Sequence, residues 1–325
     1  MIRLLIALFV AMPLTLSSPT AMAQAAARLS GPFTILVGYP PGGSTDRVAR
    51  LIADRLKGPL GVPVIVENRP GAGGRLAAQT AARAGARENL LILANPAVMV
   101  VAPLVFQDVG YNVARDFALV SMVSDYSFAV AVPGSSPFTG MADLTARLRA
   151  GTTAFQVGVP ATGSLPHFFA LSLGERLGTP AQVIGYKGSG PLLVDLMGGH
   201  LPIAIDTFDA LATQHAAGKV RLLATSGDQR EALAPDVPTL RELGLGIEGH
   251  GWNALYAPSA MPAQTIALLA REIRAVMESP ELQKIVQEYG LNPISATREE
   301  SSQMLDDFTR RWSPLIRNSG VVLEQ

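Results

Sequence analysis

The chain contains no cysteine among its 325 residues. That absence excludes a disulfide framework, a thiolate nucleophile and a zinc site built from cysteine ligands. Histidine is scarce as well, and the four histidines stand apart in the sequence with no H-E-x-x-H pair. We therefore predict a protein with no metal site and no cofactor, whose stability comes from the packing of its core.

Neither sign of charge is in excess, since 26 basic residues face 26 acidic ones. Such a balance gives no electrostatic footprint for nucleic acid, so we predict no nucleic-acid partner. Long apolar runs are missing too. After the N-terminal segment, Arg, Asp, Gly or Pro interrupts every apolar run before it reaches the roughly 18 residues that a membrane helix needs.

Residues 1–23 differ in composition from the rest of the chain. Arg3 gives a positive start, residues 4–12 form an apolar stretch too short to span a bilayer, and Ala21-Met22-Ala23 is a small-residue cleavage site. This order predicts a secretory signal peptide that is cleaved near Ala23-Gln24, and the lack of cysteine excludes a lipoprotein anchor. The alternative interpretation is an N-terminal strand or helix that is buried in the fold.

Short apolar, β-branched segments alternate with amphipathic helical patterns in the rest of the chain. One helix is predicted over 46–56, where Val48, Ile52 and Leu56 fall on one face. The alternation predicts an α/β fold with parallel sheets flanked by helices. Further helices are predicted over 262–278, 281–289 and 298–318. The predicted strands are 33–37, 62–67, 90–94, 118–123, 128–132, 155–159, 182–186, 201–206, 220–225 and 252–257.

Two of the strand-to-helix connections are loops of small residues. Tyr39-Pro40-Pro41-Gly42-Gly43-Ser44-Thr45 follows the first predicted strand, and Pro160-Ala161-Thr162-Gly163-Ser164 follows the strand 155–159. Gly, Ser and Thr leave backbone N–H groups accessible at a helix N-terminus, where the helix dipole favours negative charge. The pair of loops therefore predicts one anion held between them.

Each loop opens its own α/β stretch, which predicts two domains with a ligand cleft beyond the carboxyl ends of the strands. We predict that residues 24–126 and 250–325 form domain 1 and that residues 127–249 form domain 2. The chain would then cross near 123–128 and return near 249–252. This course leaves the C-terminal helices packed on domain 1.

No catalytic motif accompanies these loops. The segment 244–249 matches the dinucleotide pattern G-x-G-x-x-G, but it follows a helical segment rather than a strand. The nucleophile elbow G-x-S-x-G and the phosphate-binding G-K-[ST] do not occur in the sequence. We therefore predict no catalytic residues, and we interpret His167 as structural or ligand-bonding rather than as a general base.

Several polar residues near the predicted cleft have two possible roles. Asp46 lies in the first turn of a helix, where the dipole favours it, and we prefer that role to ligand contact. Asp206 ends an apolar strand and could accept a hydrogen bond from a ligand amino or hydroxyl group, or only bond loop amides. Asn95 before Pro96 could offer its carboxamide to the ligand or serve as a turn residue. Lys187 could pair with a second carboxylate or remain solvated.

Segments spread along the chain carry a family resemblance. They are Tyr39 to Asp46, Val66 to Gly74, Arg115 to Phe117, Thr162 to His167, Tyr186 to Ser189, Asp195 to Gly199, Pro235 to Thr239 and Trp252 to Pro258. In this order they resemble the Bug-type substrate-binding proteins of tripartite tricarboxylate transporters. The resemblance covers essentially the whole chain after residue 23.

The resemblance implies a two-domain periplasmic binding protein of the Venus flytrap type. Such a receptor closes on a small carboxylate in the periplasm and passes it to the membrane subunits of a transporter, and we expect a monomer. The resemblance also implies that the two loops hold the ligand carboxylate. The predicted ligand-binding residues are Tyr39, Pro40, Gly42, Gly43, Ser44, Thr45, Asn95, Ala161, Thr162, Gly163, Ser164, His167 and Asp206.

Two other functions fit the same sequence. A periplasmic enzyme acting on a small carboxylate would use His167 and Asp206 as an acid-base pair. A sensory partner of a membrane kinase would share the fold and the ligand. The identity of the ligand does not follow from the sequence, because pocket volume and surrounding polar groups decide between a dicarboxylate, an amino acid and an aromatic acid.

Overall fold

A computed structural model describes residues 31–150 and 155–324, so the predicted signal peptide lies outside the described residues. The strands are β1 Phe33–Val37, β2 Val64–Asn68, β3 Leu90–Ala94, β4 Phe117–Pro133, β5 Phe155–Val159, β6 Ala181–Gly185, β7 Ala204–Thr207, β8 Val220–Thr225, β9 His250–Pro258 and β10 Asn292–Pro293. The helices are α1 Ser44–Leu60, α2 Arg75–Ala82, α3 Ala102–Val105, α4 Val113–Asp116, α5 Met141–Ala150, α6 Leu165–Leu177, α7 Ser189–Met197, α8 Phe208–Ala216, α9 Ala263–Met277, α10 Pro280–Glu288 and α11 Arg298–Asn318.

The first sheet has the strand order β2-β1-β3-β9-β4, and β10 also pairs with β4. β1 is parallel to β2 and β3, whereas β9 is antiparallel to β3 and β4. Helix α1 covers this sheet through buried Val48, Ile52 and Leu56, and it ends at Gly61, whose φ of 65° favours glycine. We call this sheet, with α1, α2, α9 and α10, the first lobe.

The second sheet has the strand order β4-β7-β5-β6, and β8 also pairs with β4. β5 is parallel to β6 and β7, whereas β7 and β8 are antiparallel to β4. We call this sheet, with α5 to α8, the second lobe. The predicted parallel pairing is therefore found in the outer strands of each sheet, and the strands around β4 are antiparallel.

Strand β4 belongs to both sheets, and here the sequence prediction is wrong. The sequence predicts separate strands over 118–123 and 128–132, but β4 continues through the polar run at 124–127. The side chains of that run are satisfied inside the fold rather than in a turn. Ser124 accepts a hydrogen bond from Asn253 at 3.0 Å, and Asp125 accepts one from Asn292 at 2.8 Å. Residues 125–127 of this run pair with residues 250–252 of β9.

The C-terminal helices divide between the lobes. Ile273 of α9 and Leu282 of α10 lie in one core cluster with α1 and β1, as the sequence predicts. Helix α11 differs, because Trp312 and Ile316 lie in the core cluster of the second lobe. The Trp312 ring meets Phe128 edge-to-face, with 6.2 Å between the ring centroids. Helix α11 therefore packs against both lobes.

Candidate functional site

A cavity of about 540 Å³ lies where the loops of the two lobes face each other. The segments after β1 and β3 contribute Tyr39 and Asn95, and those after β5 and β6 contribute Thr162 and Tyr186. Asp206 of β7 is also part of the wall. All five positions are at or beyond the carboxyl ends of strands, which is where α/β sheets place their ligand sites. An adjoining cavity of about 380 Å³ extends along the first loop.

Asp46 holds the first loop in shape. Its carboxylate accepts the N–H of Gly42 at 2.8 Å, the Nε–H of Arg50 at 2.9 Å and the Nδ2–H of Asn68 at 2.8 Å. Burial opposes the charged form, but these hydrogen bonds outweigh it and lower the pKa of Asp46. Asp46 therefore stabilises the start of α1, as the sequence indicates, and its carboxylate has no need of a ligand.

Tyr39 and Asn95 join the first loop to the segment after β3. The Tyr39 hydroxyl donates to Asn95 Oδ1 at 3.0 Å, and the same oxygen accepts the N–H of Ala97 at 3.1 Å. Asn95 thus acts as a turn residue while its side chain also lines the cavity. Loss of solvent raises the pKa of Tyr39 to about 12, so its hydroxyl stays a neutral hydrogen-bonding group.

His167 holds the second loop in the same way. Its Nδ1 accepts the N–H of Gly163 at 2.9 Å, which requires the ring proton to be on Nε2. The residue is buried and stacks on Phe168, and burial lowers the pKa of His167. The Ser164 hydroxyl donates to the carbonyl of Ala161 at 2.7 Å and accepts from the N–H of His167 at 3.4 Å. The loop is therefore shaped by neutral groups.

The structure brings most, but not all, of the predicted site residues to the two cavities. Gly42 and His167 line neither of them among the described residues. The N–H groups of Gly42 and Gly163 already donate to Asp46 and His167, so the direct ligand bonds predicted for these two amides are not available here. The main cavity is lined by Tyr39, Asn95, Ala161, Thr162, Gly163, Ser164 and Asp206, and the adjoining cavity by Pro40, Gly43, Ser44 and Thr45.

Arg75 and Phe106 are among the residues of the cavity wall that sequence reasoning missed. The guanidinium carbon of Arg75 lies 3.6 Å from the centroid of the Phe106 ring. The glycine-rich segment before Arg75 is the sequence feature that could have pointed to this part of the cavity wall. It allows close packing, since an added Cβ at Gly38 would lie 2.7 Å from Gly74 Cα. That contact gives the glycines a structural role, but it does not reveal which way Arg75 faces.

The C-terminal tail after α11 also forms part of the cavity wall. The Leu323 N–H donates to the carbonyl of Val105 at 2.9 Å, and Leu323 forms a parallel bridge with Phe106. The Leu323 side chain reaches the second loop, because a Cβ added at Gly163 would lie 2.5 Å from Leu323 Cδ1. No motif in the sequence indicates this contact.

Asp206 has one satisfied and one unsatisfied carboxyl oxygen. Oδ1 accepts the N–H of Thr207 at 2.7 Å, whereas Oδ2 has no hydrogen-bond partner among the described residues. Burial raises the pKa of Asp206 to about 7, although Ser189 and Thr207 act in the opposite direction. The Ser189 side chain lies near enough to the carboxyl to favour its charged form. Asp206 thus bonds a loop amide and still offers an acceptor at the cavity.

Three features are absent from the part of the chain that the structure describes. None of its helices is both long and apolar enough to cross a membrane. No three His, Cys, Asp or Glu residues within it gather closely enough to hold a metal ion. In the same residues, no hydrogen bond links His167 to Asp206.

Sequence comparison finds relatives over nearly the full length of the chain. The model of a family described as tripartite tricarboxylate transporter family receptor matches residues 48–321. Protein BugT from Bordetella pertussis is 32% identical over 295 residues, which is 90% of this chain and 90% of that protein. The family match includes the second loop, whereas the first loop, residues 39–45, lies just before it.

Solved structures of similar fold include two that contain a carboxylate. An R. palustris protein with adipate is 28% identical and gives a TM-score of 0.82, covering 90% of this chain and 98% of that chain. MatC from Rhodopseudomonas palustris with bound malate is 26% identical and gives a TM-score of 0.76, and the match covers 88% of this chain and 99% of that chain. The periplasmic binding protein BugD is 26% identical and gives a TM-score of 0.77, and the match covers 90% of this chain and 99% of that chain.

Proposed function

Since the chain belongs to the tripartite tricarboxylate transporter receptor family, we propose that it is a solute receptor that binds a small carboxylate between its two lobes. One observation carries this proposal: two loops from opposite lobes, each at the start of a helix, line two adjoining cavities that share Tyr39 and Asn95. Helix N-termini supply N–H groups and a favourable dipole for an anion. The malate and adipate in the related structures support the same class of ligand here.

Carboxylate binding is assigned to the loop amides that are not engaged within the protein. The N–H groups of Gly43 and Ser44 in the first loop, and of Thr162 in the second, have no acceptor among residues 31–150 and 155–324. The hydroxyl of Thr162 adds a donor beside them. Neutral donors of this kind hold an anion without the strong ion pair of a bidentate arginine, which favours release to a transporter.

The receptor is proposed to act without catalysis, as a periplasmic monomer that transfers its ligand to the membrane subunits of the transporter. The predicted signal peptide at 1–23 supports export, and the neutral, hydrogen-bonded state of His167 supports binding rather than acid-base chemistry. Domains at 24–126 plus 250–325 and at 127–249 stay part of this proposal. The shared strand β4 supports a boundary within the strand rather than in a loop.

A thermal-shift measurement tests the proposal. Malate, adipate and other short dicarboxylates are added to the purified receptor, and the corresponding diamides serve as uncharged controls. Ligand at 100 times its dissociation constant should stabilise the fold by roughly 2.7 kcal/mol, whereas the diamides should have no effect. Mass spectrometry should recover the ligand unchanged. A receptor that no carboxylate stabilises, or that converts its ligand to a product, would contradict the proposal.

A further inference from the structure

Asp206 places a buried carboxyl on the wall of the cavity. It lies in β7 opposite Ala129 of β4, and the residue is only 1% exposed. Thr207 satisfies one of its oxygens, and Oδ2 finds no donor within the described residues. A buried acceptor without a donor costs free energy that a bound donor can recover.

Among the described residues no cation pairs with Asp206, although Arg75 lines the same cavity. Lys187, which also lines the cavity, is exposed. The ionisable neighbours are the phenol of Tyr126 and the carboxyl of Asp209. Burial raises the pKa of Asp209, as it does that of Asp206. Asp209 is itself an acid, so it offers no charge that would offset a negative charge on Asp206.

We propose that Asp206 Oδ2 accepts a hydrogen bond from an amino group of the ligand, so that the receptor prefers an amino-carboxylate to the matching plain carboxylate. This inference rests on the proposed function, because it places the ligand carboxylate at the two loops. A cavity of about 540 Å³ has room for a small ligand that reaches from the loops to Asp206. A ligand hydroxyl would satisfy the oxygen without compensating its charge, so a hydroxy-carboxylate should rank between the two.

The test compares ligands that share one carbon chain. L-Aspartate, L-malate and succinate differ only in carrying an amino group, a hydroxyl or hydrogen at one carbon, and L-glutamate with glutarate forms a longer pair. Calorimetric titration of the receptor should show the amino ligand of a pair binding at least about tenfold more tightly than the plain one. The change Asp206→Asn keeps the size but removes the charge. It should erase this preference and leave the plain ligand within about threefold of its wild-type affinity.

Asp125→Asn provides the matched control. Asp125 is an acid on β4 that bonds Asn292 and lines a different cavity, so this change should leave the ligand preference intact. Equal wild-type affinity for both members of each pair, or equal weakening of all ligands by Asp206→Asn, would overturn the inference and leave the carboxylate receptor standing. If no carboxylate bound to the receptor, the result would contradict both this inference and the proposed function. If Asp206→Asn does not fold, the wild-type preference decides alone.

Discussion

At the scale of single residues, Gly43 is where a side chain can be added to the first loop without disturbing the fold. Its φ is −71°, and the nearest atom to an added Cβ is the carbonyl oxygen of Pro40 at 3.9 Å. Gly43→Val should therefore fold normally but block the approach of a carboxylate to the loop amides. We expect binding to weaken by roughly 1 to 3 kcal/mol, measured by titration with a dicarboxylate that the wild type binds.

The control for this change is Gly58→Val. Gly58 lies near the other end of α1, and an added Cβ there would meet no atom within 4 Å. Both variants put a β-branched residue next to or within the same helix, so a general effect on α1 would appear in both. Unchanged affinity in folded Gly43→Val would show that the ligand does not approach this loop.

The residues of the site show how far sequence reasoning reaches. The positions of the two loops could be predicted, because a run of small residues after a strand and before an amphipathic helix is a local pattern. The hydrogen bonds that the Gly42 and Gly163 amides donate within the protein could not be predicted, since they depend on the rotamers of Asp46 and His167. Arg75 and Phe106 face the cavity through contacts between distant segments that leave no periodic pattern.

At the scale of elements, the C-terminal tail is expected to contribute to ligand retention. Leu323 contacts the second loop beside Gly163 and lines the cavity, while its N–H is held by the carbonyl of Val105. Leu323→Ala should open this part of the wall and weaken ligand binding by roughly 1 kcal/mol, through loss of apolar burial. Stopped-flow measurement should show most of the change in the dissociation rate.

Val322→Ala is the matched control for the tail, because Val322 is 69% exposed in the same segment. Its affinity should equal that of the wild type. If the two tail variants behave alike, the tail does not form part of the functional cavity wall.

Individual strands were predicted well wherever their residues are apolar and bounded by turn residues. β1, β3, β5 and β8 have the predicted bounds. β7 begins later than predicted, since Pro202 cannot donate to a strand ladder. The break predicted within β4 was wrong because Asn253 and Asn292, distant in sequence, satisfy its polar residues. Local pattern does not reveal such partners.

At the scale of the whole molecule, ligand binding is expected to bring the lobes together. The lobes are connected through β4 and β9, which pair along the region where the sheets meet, so closure would take place by twisting of these strands. Small-angle scattering should give a smaller radius of gyration with saturating dicarboxylate than without it. The diamide provides the unliganded control, and equal radii in both samples would contradict closure.

The continuous course of β4 also limits how new ligand preferences can arise during descent. Recombination that exchanged one lobe between relatives would join two genes in the middle of a strand that pairs with β9, β7 and β8. It would also separate α11 from half of the core in which Trp312 is buried. The cavity-lining loops carry no such constraint, because each lies between complete elements. Point substitution and loop exchange are thus the accessible routes to a new ligand, and lobe shuffling is not.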